Sequence, residues 1–108
     1  MRGKNRVQKI VKEFEKSILD LYGRRLKRVI LYGSWARREA NNDSDIDLAV
    51  VLRGKVNPTK EIDRMIDIIT DFNLKYGVLL SVYPVSEDNY RTLQSPLLIN
   101  IRREGVSI

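Results

Sequence analysis

The stretch YGSWARREANNDSDIDLAVVL, residues 32–52, decides the fold. Gly33-Ser34 breaks a short apolar run, RVILY (Arg28–Tyr32), that reads as a strand. Ten residues separate Ser34 from Asp45, and Asp45 and Asp47 open a second apolar run, DIDLAVVL, which ends at Leu52. On a strand, side chains two apart point to the same face. Two neighbouring carboxylates repel when both are ionised, so a cation is needed to keep both charged. Oxygen donors suit Mg²⁺ or Mn²⁺, which bind a few carboxylates together with substrate phosphates. A pair of such ions activates an attacking oxygen and stabilises a leaving pyrophosphate. The Gly-Ser turn supplies the complement. Glycine lets backbone approach a ligand, Ser34 adds a hydroxyl, and a helix start offers free N–H groups to an anion. Either half alone is a common turn; together they describe a site for metal and nucleoside triphosphate.

Outward from this stretch, strands alternate with helices. Val7, Ile10, Val11, Phe14, Ile18 and Leu21 recur at helical spacing, which predicts an amphipathic helix from Asn5 to Tyr22, ended by Gly23. SWARREA reads as a short helix with Ser34 at its N-cap, and ANNDS as a turn. The continuous apolar character of DIDLAVVL suits a central strand. A second long helix is predicted over Lys60–Tyr76, capped by Thr59 or Asn57 and stopped by Gly77. A third strand is predicted over Val78–Val85, then a turn or short helix at Ser86-Glu87-Asp88. SPLLINIRRE begins a last helix around Pro96, Gly105 ends it, and VSI adds a few strand residues. The order predicts an α/β domain of two or three layers. The short link between the first two strands leaves them parallel or antiparallel.

The chain has 108 residues, which predicts one domain over 1–108. It has neither cysteine nor histidine, which excludes thiol chemistry, zinc ribbons and the commonest general base. Chemistry falls to carboxylates, hydroxyls, Lys and Arg. The formal net charge is +6, consistent with a polyphosphate substrate, an acidic partner or a basic solvated surface. The apolar runs are too short to span a bilayer and the first residues lack a signal core, so a cytoplasmic protein is expected. The tyrosines show no RNA-stacking pattern, and the basic run LYGRRLKR reads as a solvated edge, so nucleic acid is not the expected partner.

Gly33, Ser34, the ten-residue spacer, Asp45, Asp47 and the apolar strand resemble the minimal nucleotidyltransferases of the DNA polymerase β superfamily. Ala36 and Arg37 match the family's G-S-x-A-R start; position 38 is Arg, where many members have Gly. The resemblance implies a nucleotidyltransferase fold built on a small mixed sheet. It implies Mg²⁺-dependent transfer of a nucleoside monophosphate, AMP from ATP, to a hydroxyl. Asp45 and Asp47 would be the catalytic, metal-binding pair, and Gly33, Ser34 and Arg37 would hold nucleotide. It also implies a HEPN-domain partner, with this chain as the antitoxin of the pair, and room for homo- or hetero-oligomers.

One departure stands out. The superfamily commonly places a third carboxylate on the strand after the second long helix. Here that strand, VLLSVYPV, has no acid, and Ser81 stands at the expected position. A serine cannot deprotonate a hydroxyl at neutral pH. Glu87 and Asp88 would substitute if the chain bends back. The alternative function is a binding module that neutralises its partner sterically. Trp35 is expected to pack inward.

Overall fold

The computed structural model describes residues 2–108, and side chains from Asn5 onward. Helix α1 spans Arg2–Tyr22 and is followed by a 3₁₀ turn at Gly23–Arg25. Strands β1 (Leu26–Tyr32) and β2 (Ile46–Leu52) precede helix α2 (Pro58–Tyr76). Then come β3 (Leu80–Ser86), a short α3 (Glu87–Thr92), α4 (Pro96–Glu104) and a two-residue β4 (Val106–Ser107). Local chemistry sets the boundaries. Asn57 Oδ1 accepts the Lys60 N–H at the start of α2, and Gly77 closes that helix in the left-handed region at φ 62°. Ser86 and Ser95 cap α3 and α4 in the same way.

The mixed sheet has the order β3-β2-β1-β4. β1 runs antiparallel to β2 and to β4, and β2 runs parallel to β3. The β1–β2 orientation, open in the sequence, is therefore antiparallel. The connection travels out and back at one end of the sheet, which leaves Gly33 close to Asp47 there.

Both faces of the sheet are covered. On one face Val29, Leu31, Leu48, Val50 and Leu52 pack against Val7, Ile10, Val11, Phe14 and Ile18 of α1 and Met65 and Ile69 of α2. On the other, Ile30, Ala49, Val51 and Val85 meet Leu98 and Ile101 of α4. Every residue of β2 is buried except Asp47, as the continuous apolar run predicted for a central strand. Asp47 lies on the α4 face, near the end of the strand where that smaller core gives out.

A charged cluster locks the opposite end. Glu61, at 4% exposure, accepts from Tyr22 Oη (2.9 Å), Arg25 Nη2 (3.1 Å) and Arg64 Nη1 (3.4 Å). Arg25 also donates to the Arg53 and Lys55 carbonyls, which ties α1, α2 and the loop after β2 together. Burial pushes the Glu61 carboxyl up, but the bonds from Tyr22 and Arg25 and the arginine charges outweigh it and hold its pKa low. Glu61→Ala is expected to destabilise the fold by about 2 kcal/mol, less than a fully buried pair because both arginines are solvated. The depressed pKa means this stabilisation is complete above the unfolded carboxyl value of about 4.3 and is lost as pH falls through the lower folded value. Urea melts should therefore show the mutant gap at pH 7 and its disappearance in acid.

Candidate active site

The site forms where β1 ends and β2 begins. Tyr32 pairs with Asp47 across β1–β2, and Asp47 pairs with Ser81 across β2–β3. Gly33 follows at φ 74°, in the left-handed region that favours glycine. A second reason for glycine is contact: a Cβ at Gly33 would overlap Asp47 Oδ2. The sequence suggests that Gly33 makes room for a ligand; its first neighbour is the Asp47 carboxylate itself.

The predicted helix over SWARREA is replaced by one closed turn. The Arg37 N–H donates to the Gly33 carbonyl (3.1 Å), Arg38 N–H to Trp35 O (3.4 Å) and Glu39 N–H to Ser34 O (2.9 Å). This is a Schellman closure with Arg38 at the left-handed position, φ 62°. Helix-forming residues surround it, but the chain reverses after one turn, so no extended helix dipole backs the Gly-Ser turn. A non-glycine residue in this conformation costs about 1–2 kcal/mol, part of which glycine returns through unfolded-state entropy. Arg38→Gly is thus expected to stabilise the fold by about 0.5–1 kcal/mol, read as a rise in the denaturation midpoint.

Side chains brace the turn against β2. Trp35 packs inward on the α1–α2 core and donates Nε1–H to the Ser44 carbonyl at 3.3 Å. Asn41 organises the ANNDS turn: its Oδ1 accepts from the Asp43 N–H, and its own N–H reaches Ser44 Oγ. These bonds deliver Asp45 to the mouth of the strand, where it is exposed and one residue outside β2. Asp47 is half-buried. Its carboxyl pKa is raised by burial and by the Asp45 charge, with Arg37 opposing. Beneath it, Tyr32 is pushed up to about 12 by burial, by Asp47 and by Tyr83.

Arg37 is exposed but held on two sides, with Nε 3.0 Å from Glu39 Oε2 and Nη1 3.0 Å from Glu104 Oε1. Glu104, the last residue of α4, also accepts from the Gly33 N–H at 3.4 Å. Sequence reading leaves Glu104 unassigned because 56 residues of helix and strand separate it from Asp47; only the fold brings it here.

The structure thus brings Gly33, Ser34, Arg37, Asp45 and Asp47 together. It also puts Ser81 beside Asp47 in the sheet, so the acid-free position is a neighbour of the site. Glu87 and Asp88 do not substitute. They open α3 six and seven residues beyond Ser81, past the far end of β3, which itself lies about 16 Å along the strand from Ser81. The donor set suits a hard divalent cation: two carboxylates, one shifted by the other's charge, all oxygen. Among the described residues no third His, Cys, Asp or Glu joins them. The basic run Arg24–Arg28 lies beside Arg53, at the opposite end of the sheet.

The family described as "Polymerase beta, Nucleotidyltransferase" matches residues 8–106. Two Methanocaldococcus jannaschii proteins, each named "Putative protein adenylyltransferase", are similar. One is 38% identical over 81 residues, 75% of each chain. The other is 34% identical over 100 residues, 92% of this chain and 95% of the relative. In the solved structures, "a putative nucleotidyltransferase from Sulfolobus solfataricus" superposes with a TM-score of 0.70 at 18% identity, over 98% of this chain and 82% of that one. That last likeness concerns the fold alone.

Proposed function

The chain belongs to the polymerase β nucleotidyltransferase family, and from that premise we propose that it is a single-domain enzyme moving AMP from ATP to a hydroxyl on a partner protein. The observation that supports this reading most is the close approach of Gly33 to the Asp47 carboxylate, with the Gly-Ser turn lying against one member of the carboxylate pair. The names of the Methanocaldococcus relatives support a protein acceptor. The resemblance in the sequence motif supports a HEPN-domain protein as that acceptor. Among the described residues no helix is long and apolar enough to cross a membrane.

In this reading Asp45 and Asp47 hold Mg²⁺, which when bound supplies positive charge to the triphosphate and the leaving group. Gly33 keeps side-chain bulk away from the carboxylates. Ser34 Oγ and the Arg37 guanidinium donate hydrogen bonds to phosphate oxygens. The acceptor oxygen forms a bond to the α-phosphorus, the bond to the bridging oxygen breaks, and pyrophosphate leaves. The acceptor proton passes to solvent, because Ser81 is a poor base.

A second reading, a binding module that neutralises its partner without turnover, is favoured by Ser81 at the register of Asp47. Label transfer separates the two. ATP labelled at the α-phosphate should mark the partner protein when Mg²⁺ is present, and γ-labelled ATP should not. Ser81→Asp should accelerate transfer by roughly 10²-fold or more where deprotonation limits the rate. Partner binding with no transfer by either form would leave the steric reading standing.

A further inference from the structure

We propose that Glu104 is a positioning residue: it fixes the Arg37 guanidinium and ties it to the Gly33 N–H, so that arginine and turn meet the triphosphate as one unit. The proposal rests on the nucleotide reading of Arg37 above. A long exposed arginine has substantial rotamer freedom, and a single surface ion pair rarely holds it. Arg37 is held by two carboxylates on different nitrogens, Glu39 at Nε and Glu104 at Nη1, each at 3.0 Å. One oxygen of Glu104 also accepts from the Gly33 N–H. Glu39 is exposed and only two residues along the chain. Glu104 is the firmer anchor, with its side chain at 24% exposure.

The fold invests in that anchor. Gly105 follows Glu104 and donates its N–H to the Ile101 carbonyl at 2.8 Å. A Cβ there would overlap both Ile101 O and Ile30 Cγ2, so α4 ends pressed against β1. The next residues, Val106–Ser107, pair with Leu31 and Ile30. Packing on one side of Glu104 and strand pairing just beyond it hold the carboxylate at the turn. A guanidinium has five N–H groups, so the two glutamates leave three for a phosphate. Because the two glutamates offset the arginine charge, Arg37 acts by directed hydrogen bonds.

The test is a calorimetric titration of ATP with Mg²⁺ into Arg37→Ala, Glu104→Ala and the double variant. A side-chain ¹⁵N spectrum of Arg37 Nε–H in wild type and Glu104→Ala completes it. Each single variant should bind about fivefold more weakly, the double no worse than either, and Glu104→Ala should broaden or shift the Arg37 signal. Glu104→Gln, which still accepts from Arg37, should restore most of the affinity and serves if Glu104→Ala does not fold. Wild-type or tighter binding by Glu104→Ala, independent losses in the double variant, or an unchanged Arg37 signal would overturn the proposal. Normal ATP binding by Arg37→Ala would instead remove the nucleotide role of Arg37 itself, and this proposal with it.

Discussion

Asp45→Asn combined with Asp47→Asn is expected to weaken binding of Mg²⁺ and ATP by more than about 100-fold and to abolish transfer, without lowering the melting temperature. The two halves have one origin. Burial and the Asp45 charge raise the Asp47 pKa above its unfolded value. A group shifted this way favours folding most below its unfolded pKa, and that stability is lost as pH rises through the folded pKa. At neutral pH the charged pair therefore works against the fold. Asparagine removes the repulsion at every pH, and with it the ligand charge that a divalent cation requires. Thermal melts should show the double variant at or above wild type at pH 7, with the difference shrinking in acid. Equal ATP binding by the two proteins would contradict the assignment.

Gly33→Ala should damage both the fold and the site through a single methyl group. The backbone at φ 74° alone penalises alanine by about 1–2 kcal/mol. The added carbon also overlaps Asp47 Oδ2, so the carboxylate must swing away. ATP affinity in the presence of Mg²⁺ is expected to fall at least tenfold, as for a displaced ligand. An Asp47→Ala background separates the effects. There the steric part vanishes, and Gly33→Ala should cost only its backbone share in urea unfolding. The same penalty in both backgrounds would show that Gly33 and Asp47 are not in contact.

Much of the fold could be read from the residues, for identifiable reasons. The stripe Val7–Ile10–Val11–Phe14–Ile18 has helical spacing and is buried as such. The unbroken run after Asp45 belongs to a central strand covered on both faces. Asp45 and Asp47 were legible as a pair because strand alternation is a local rule. Arg38 was not legible as the end of a turn: alanine, arginine and glutamate around it favour helix, and tertiary bonds from Trp35 and Glu104 decide otherwise. The sheet order and the arrival of Glu104 depend on how distant segments pack, which no spacing within a motif encodes. Even so, the acid-free position at Ser81 could be anticipated, and the parallel register with Asp47 gives it its meaning.

The central claim is that the Gly-Ser turn and the carboxylate pair act together on a metal-bound nucleoside triphosphate. Calorimetric titration of ATP into the wild-type protein, once with Mg²⁺ and once with chelator, tests it most directly. The structure predicts saturable binding that requires Mg²⁺ and disappears in chelator; identical binding in both conditions would contradict it.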